Sequence, residues 1–465
     1  MAPFQLLIDP LLLRRHTRGE AAHARYAQYD AYPTCDYFVE AFGEQDVRRR
    51  MGSAAAGDDQ ALSVYLHLPF CEASCRYCGC RKIAARQRER VQKYIKCLER
   101  EIRLASALAG GKRRALRLHW RCALPDTVSM DEVSLLTGAV RESFSMEPGA
   151  SFVVDVEARP SLPGRLPALA ALGYNELSML VQDRAPDARP ARSGAQASAT
   201  IAQCGREARA CGFRALHADV MYGHPAQQLD RFAELLDSVI GQEPQRITLQ
   251  PYRDSGAAGK RVSSDPAGPD PGVLAAETLA AGTGKLIGAG YVHIGMSTFA
   301  RPGSRLALAR SQGRLQFGPE GFSELPETGL LGFGSSAIGR LGSSYWQNLP
   351  VPEDYCGALE AGRLPVWRGL ELTPDDILRR AIIHTLICNS RASVEALERD
   401  HLINFQRYFA HELELLAPFA DEGLIELEPD WIVVTPQGKL LVHAICEIFD
   451  RQRRALRRSS PAARI

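Results

Sequence analysis

The sequence predicts an α/β protein: a partial (β/α)6 barrel, with an N-terminal extension before it and a C-terminal helical, winged-helix-like domain after it. Three observations carry this. Six short apolar runs recur between residues 63 and 250, namely SVYLHL (63–68), LRLHW (116–120), FVVDV (152–156), ELSMLV (176–181), LHADVM (216–221) and RITLQ (246–250), and FVVDV and RITLQ are rich in β-branched residues. Amphipathic helical stretches separate them, and strand–helix alternation gives a parallel sheet with right-handed crossovers. Six units are too few to close an eight-unit barrel and suit an open one, whose chemistry collects at the loops after the strands. Beyond residue 366 the pattern changes to three helices and a hairpin.

Each element follows in order. Residues 1–60 are mixed and Arg-rich, and form the extension; RYAQYDAYPT (25–34) is an aromatic, Pro-bounded extended stretch within it. Residues 61–300 form the barrel. One of its helices carries Val91, Ile95, Leu98 and Ile102 at helical spacing. Another starts at Ser129 with Glu132 three residues on, a capping box. A third runs through Phe232, Leu235, Leu236 and Ile240. The stretches 183–200 and 254–272 are rich in Pro, Gly, Ala and Ser and read as loops. YVHIGM (291–296) reads as a further strand after a long helix. Residues 301–365 form a barrel-flanking segment with the Gly-rich GLLGFGSSAIGRLG (329–342). In 366–465, LTPDDILRRAIIHTLICN, VEALERDH and INFQRYFAHELELLAPFADEG read as helices, LIELEPDWIVVTPQG as a hairpin, and 440–448 as a final helix.

Composition excludes several classes. The chain has 465 residues, 45% hydrophobic and 24% charged, which is ordinary for a globular protein and enough to bury a core. A net charge of +2 makes no electrostatic case for nucleic acid. No apolar run approaches the roughly 18 residues of a membrane span, and the start lacks a secretory signature. These features point to a cytoplasmic protein.

Twelve cysteines are present, and four fall within ten residues, in CEASCRYCGC (71–80). The other eight are scattered, as small buried hydrophobes are. Cys71, Cys75, Cys78 and Cys80 follow the first strand directly. In a reducing compartment such a cluster binds metal or does chemistry. Three thiolates on one compact loop suit an iron–sulfur cluster with one iron left open. Zinc is the other reading; its sites use paired knuckles, and no second knuckle appears.

At this loop the sequence resembles the radical S-adenosylmethionine (SAM) enzymes, whose signature is Cys-x3-Cys-x2-Cys. YLHLPFCEASCRYCGC is similar to the oxygen-independent coproporphyrinogen III oxidase (dehydrogenase) family, which has the extra Cys after Gly. The likeness extends through RYAQYDAYPT, LHW (118–120), ELSMLVQD (176–183), DVMYGHP (219–225), FARP (299–302), WRGLELTPDDILRRAIIHTLICN (367–389) and LELLAPFADEGLI (413–425). It implies a radical SAM partial barrel, a [4Fe–4S] cluster, and one SAM with a second left open. The implied reaction is oxidative decarboxylation of two propionates of coproporphyrinogen III to vinyls, giving protoporphyrinogen IX. A small electron-donor protein and a monomeric state are also implied.

By this resemblance Cys71, Cys75 and Cys78 hold the cluster, and Cys80 is a catalytic residue beside it rather than a ligand. Tyr65, Tyr77, Asp155, Gln182, Asp219 and Ile338 match SAM contacts. Tyr77 stands where the family has Phe, and Asp155 where it has Glu. Two stretches depart from the pattern. The family's Gly-Gly-Gly-Thr-Pro run after His-Trp is Arg121-Cys122-Ala123-Leu124-Pro125 here, and Ser297 and Thr298 replace an acid and a His. Gly permits close backbone approach that Arg and Leu do not. A second reading follows: a relative that keeps the cluster and carries a tetrapyrrole or haem, as carrier or regulator, without SAM turnover. A third is a radical SAM enzyme acting on another tetrapyrrole.

Overall fold

The computed structural model describes residues 12–13, 32–55, 60–70, 87–121, 123–182, 194–224, 227–252 and 271–453. The loop with Cys71, Cys75, Tyr77, Cys78 and Cys80, most of both inserts, and all of RYAQYDA lie outside them. The helix α1 (Glu44–Ala55) precedes the barrel. Six units then follow: β1 (Leu62–His67), α2 (Arg88–Leu108), β2 (Arg114–Arg121), α3 (Met130–Ser143), β3 (Ser145–Glu157), α4 (Leu166–Ala171), β4 (Glu176–Val181), α5 (Gly194–Ala210), β5 (Ala215–Tyr222), α6 (Leu229–Ile240), β6 (Arg246–Pro251) and α7 (Pro271–Gly288). Strands β1 to β6 pair in parallel, each with the next.

The first insert does not remain a loop to residue 200. Helix α5 begins at Gly194 and takes in AQASAT, because Ala is the strongest helix former and the Ser and Thr bring little penalty. Ser129 caps α3 as expected: its hydroxyl accepts from the Glu132 backbone N–H, and the Glu132 side chain returns the bond.

Two extensions, antiparallel but for the β1–β11 pairing, enlarge the sheet to twelve strands. Beyond β6 lie β7 (Val292–Gly295) and β8 (Thr298–Ala300), with β8 between β6 and β7. The helix α8 (Arg305–Ser311) and a small hairpin, β9 (Gln316–Gly318) and β10 (Gly321–Ser323), come next. Then β11 (Gly329–Phe333) returns to lie parallel beside β1, and β12 (Ile338–Leu341) and β13 (Ser344–Asn348) add outward from it. After α9 (Pro352–Glu360), β14 (Val366–Glu371) completes that edge.

The strands alternate in a way parallel strands seldom do. A parallel sheet is usually apolar on both faces. Here one face carries Val64, Leu66, Leu118, Trp120, Val154, Met179 and Val220, packed with Val91, Leu98, Val133 and Leu236 of the helices in one core. Each such side chain, fully buried, contributes about 1.5–3 kcal/mol. The other face carries Ser63, Tyr65, His67, Arg117, His119, Ser151, Asp155, Glu176, Ser178, His217, Asp219, Arg246 and Thr248. The curved sheet therefore encloses a polar hollow.

The C-terminal part comprises α10 (Pro374–Asn389), β15 (Arg391–Ser393), α11 (Val394–His401), α12 (Phe405–Tyr408), α13 (Ala410–Asp421), β16 (Ile425–Leu427), β17 (Trp431–Val434) and α14 (Val442–Phe449). The stretch expected as one helix from Ile403 divides into α12 and α13, with Phe409 at the junction in a non-helical conformation. The hairpin gains β15 as a third strand. A second core joins Ile382, Leu386, Phe405, Phe409 and Phe449 to Ile294 and Leu306 at the β7 edge of the barrel. Helix α10 is fixed at its start by a capping box of Thr373 and Asp376, and the Tyr32 hydroxyl donates to Asp376 Oδ1 at 2.9 Å.

Candidate active site at the strand ends

The last residues of β1 lead into the cysteine loop, and the chain there is held tightly. Leu68 and Phe70 are buried, and the Phe70 ring meets Tyr94 edge-on with centroids 5.2 Å apart. The Tyr94 hydroxyl donates to the His67 carbonyl at 3.0 Å and accepts from the Ser335 N–H at 2.7 Å. His67 Nδ1 lies 2.6 Å from the Ser335 carbonyl. The Gly-rich turn after β11 is thereby tied to the mouth of the cysteine loop.

One carboxyl organises this turn. Glu101, buried on α2, accepts from the Gly334 N–H at 2.8 Å, from Asn348 Nδ2 at 2.6 Å and from the Tyr355 hydroxyl at 2.6 Å. Burial raises its pKa to about 7, against the lowering effect of these three donors. Gly334 has φ of +112°, and a Cβ there would stand 2.4 Å from the His67 carbonyl. Gly332 is needed for space: a Cβ would fall 2.3 Å from the Ile338 carbonyl and 2.9 Å from the Tyr65 ring.

Two expected site residues meet here. The Tyr65 hydroxyl accepts from the Ile338 N–H at 3.4 Å, so a residue of β1 and one of β12 share the rim. Asp155 lies on β3, two residues before its last residue, and hydrogen-bonds Nε2 of His119 at 2.8 Å. Burial pushes its pKa up, but His119, Arg121 and Arg246 outweigh this and hold the carboxylate below the usual range. Asp219 lies on β5 with its carboxylate 3.9 Å from Arg246. Gln182 follows β4 directly and is half-buried. Cys71, Cys75, Cys78, Cys80 and Tyr77 lie outside the described residues. No group of three metal-ligating side chains occurs among the described residues.

The floor of the hollow is an ion cluster. Glu176 accepts from Ser151 at 2.8 Å, Arg214 at 2.9 Å and Arg305 at 2.5 Å, and lies 3.2 Å from His217 Nε2. Burial would raise its pKa, yet His217, Arg117 and Arg305 hold it far below the usual range. Burial and Arg246 push His217 down, towards the neutral ring.

Sequence reasoning missed His67, Tyr94, Glu101, His119 and Glu176 as site-forming residues. A signal existed for some. Glu101 sits three residues after Leu98 on the apolar stripe of α2, where a carboxyl is out of place. His67 and His119 alternate with apolar neighbours in strands that a fully buried parallel sheet would fill with hydrophobes.

Comparison with known proteins agrees with this architecture. A family model for the HemN C-terminal domain matches residues 372–441. The oxygen-independent coproporphyrinogen III oxidase of Escherichia coli K12 is 34% identical over 443 residues, covering 94% of this chain and 95% of the relative. Its counterpart in Pseudomonas aeruginosa is 33% identical over 437 residues, covering 93% and 94%. The solved structure of the E. coli protein, described as a radical SAM enzyme, superposes with a TM-score of 0.83 over 94% of this chain and 100% of that one. With one fold and one-third of its residues shared from end to end, the chain belongs to the oxygen-independent coproporphyrinogen III oxidase family of radical SAM proteins.

Proposed function

We propose that the chain catalyses oxidative decarboxylation of two propionates of coproporphyrinogen III to vinyl groups, giving protoporphyrinogen IX for haem synthesis. The observation that carries this reading is the 34% identity to the E. coli oxidase across 94% of the chain, together with CEASCRYCGC directly after β1.

The enclosed face fits a polar guest. Arg117 Nε, His217 Nδ1 and Arg246 Nε are buried there without a hydrogen-bond partner among the described residues. Such atoms are rare unless water or a ligand meets them. In this reading Cys71, Cys75 and Cys78 hold a [4Fe–4S] cluster, Cys80 stands beside it, and Tyr65, Tyr77, Asp155, Gln182, Asp219 and Ile338 line SAM. When bound, cluster and SAM together supply a hydrogen-abstracting radical. The chain's own residues do the rest. Asp155, kept ionised by His119 and Arg121, offers a carboxylate to a cationic amino group. Gly332 and Gly334 let backbone approach where a Cβ would not fit. The Tyr65 hydroxyl fixes the Ile338 peptide, and the helices packed on the apolar outer face hold the strands that bear these residues.

An electron-donor protein is needed to reduce the cluster. We place the reaction in the cytoplasm, where thiolates stay reduced, and on a single chain.

One observation favours the second reading. Where the family has its glycine run, β2 ends in Arg121, and the Leu124 N–H donates to the Asp155 carbonyl at 2.8 Å, with Leu124 buried. A bulkier segment thus packs against the strand that carries Asp155. Anaerobic reconstitution separates the readings. The expected result is SAM cleavage and conversion of coproporphyrinogen III by the reduced protein, abolished in Cys71→Ala. A fully loaded cluster with tetrapyrrole binding but no SAM cleavage selects the carrier.

A further inference from the structure

A cavity of about 300 Å³ lies on the inward face of the sheet, between β11–β13, the β9–β10 hairpin and α10. It is apart from the SAM-lining residues yet continuous with their row. Ile338 and Arg340 are two residues apart on β12, so their side chains share a face about 7 Å apart along the strand. Thr328 at its edge is hydrogen-bonded to Ser63, two residues before Tyr65 on β1, at 2.9 Å.

The lining chemistry is specific. Arg340 donates to the Thr328 carbonyl at 2.6 Å and to Glu327 at 2.8 Å. Arg380, on α10, donates to the Tyr345 hydroxyl at 3.1 Å, with its second terminal nitrogen 3.9 Å from Glu327. A guanidinium carries five N–H donors in a planar fork, so each arginine keeps donors beyond these contacts. Opposite in character, Glu320 Oε1 is buried with no hydrogen-bond partner among the described residues and needs a donor. Leu330, Ile383 and the Phe317 ring supply apolar walls.

We infer that this cavity holds one edge of the tetrapyrrole, with Arg380 and Arg340 gripping a propionate carboxylate and Glu320 accepting a pyrrole N–H. The inference rests on the proposed function, because it takes coproporphyrinogen III as the ligand. A coproporphyrinogen pyrrole, free to tilt about its sp3 meso carbons, presents this set: a propionate on one side of the ring, an N–H on the other and an apolar ring face between them. Planar bidentate pairing makes arginine the fitting partner for carboxylate. The volume is at the lower end for ligand pockets and suits part of a macrocycle rather than the whole. The rest of the ring then extends along the inward face towards Tyr65 and Ile338. These residues are positioning and specificity elements, remote from the radical chemistry.

The test uses coproporphyrin III, the stable oxidised form, binding to full-length protein followed by fluorescence, beside steady-state kinetics. Arg380→Gln and Arg340→Gln should each weaken binding about tenfold or more and raise KM for coproporphyrinogen III with little change in kcat. Glu320→Ala should weaken it less. Octaethylporphyrin, which lacks carboxylates, should bind weakly and equally to wild type and both arginine variants. Arg340→Gln is a strand-surface change that stands in if Arg380→Gln does not fold. Wild-type affinity in both arginine variants, with unchanged melting, overturns the inference even if wild type turns over. Arginine-dependent binding by a protein that cleaves no SAM upholds it while the proposed activity falls.

Discussion

Glu101 shows how much one residue can organise. It holds the backbone of Gly334, the amide of Asn348 and the hydroxyl of Tyr355, and through Gly334 it sets the turn that leads to Ile338. Its raised pKa makes stability depend on pH with a defined sign. The folded carboxyl keeps its proton up to about pH 7, while the unfolded one loses it near 4.5. The native state thus binds more protons, and its advantage is lost as pH rises through that window. Glu101→Gln stays neutral throughout. The stability of wild type relative to this variant should therefore fall by about 2–3 kcal/mol between pH 5 and pH 8 in paired urea titrations. Parallel curves would remove the titration from the account. Asp155 is the opposite case, a buried carboxyl that stays ionised because His119 and Arg121 face it. From sequence the two are both acids beside hydrophobes; only the partners, contributed from other strands and helices, separate them.

At the scale of the element, β1 to β6 were legible because each run is short, largely apolar and followed by a helix. ELSMLV coincides with β4, and the remaining runs differ from their strands at the ends. Less legible was β11. Its glycines suggest a loop, yet Gly332 stands in a strand because the neighbouring Tyr65 ring and Ile338 carbonyl leave no room for a Cβ. A glycine chosen for space has the same letter as one chosen for a turn. Gly332→Ala should cost about 1–3 kcal/mol by overpacking. It should also weaken SAM binding, because Tyr65 or the β12 backbone must shift; isothermal titration with the reconstituted protein measures it. Unchanged SAM affinity would mean the rim tolerates that movement.

At the scale of the whole molecule, the C-terminal helices are joined to one another by buried charge. Arg379 on α10 contacts Asp375 at 3.0 Å, Glu412 of α13 at 2.9 Å and the Phe449 carbonyl of α14 at 2.9 Å, with its guanidinium over the Phe409 ring. Arg379→Leu removes the cation that Asp375 and Glu412 share, leaving Asp375 to Arg451 at 3.2 Å, and should destabilise this part by about 3–5 kcal/mol. A separate early transition in calorimetry would locate the loss; an unshifted melt would show that the helices are held by apolar packing alone. Nothing in LTPDDILRRAIIHTLICN distinguishes Arg379 from Arg380, although one fastens α10 to its neighbours and the other faces the cavity. A helix reads as amphipathic from its own residues, but which neighbour covers each face depends on distant chain.

The pairing of β1 with β11 has a temporal side. Leu62 lies opposite Gly329, so the first barrel strand meets one of its two partners only after most of the chain has left the ribosome. Pairing between such distant segments is slow to form. Until then, one margin of the nascent sheet is open where the cysteine segment begins, and metal delivery to a half-synthesised chain would meet an incomplete rim. A rim complete enough to enclose a cofactor is therefore expected only once residue 329 and the strands after it have been made.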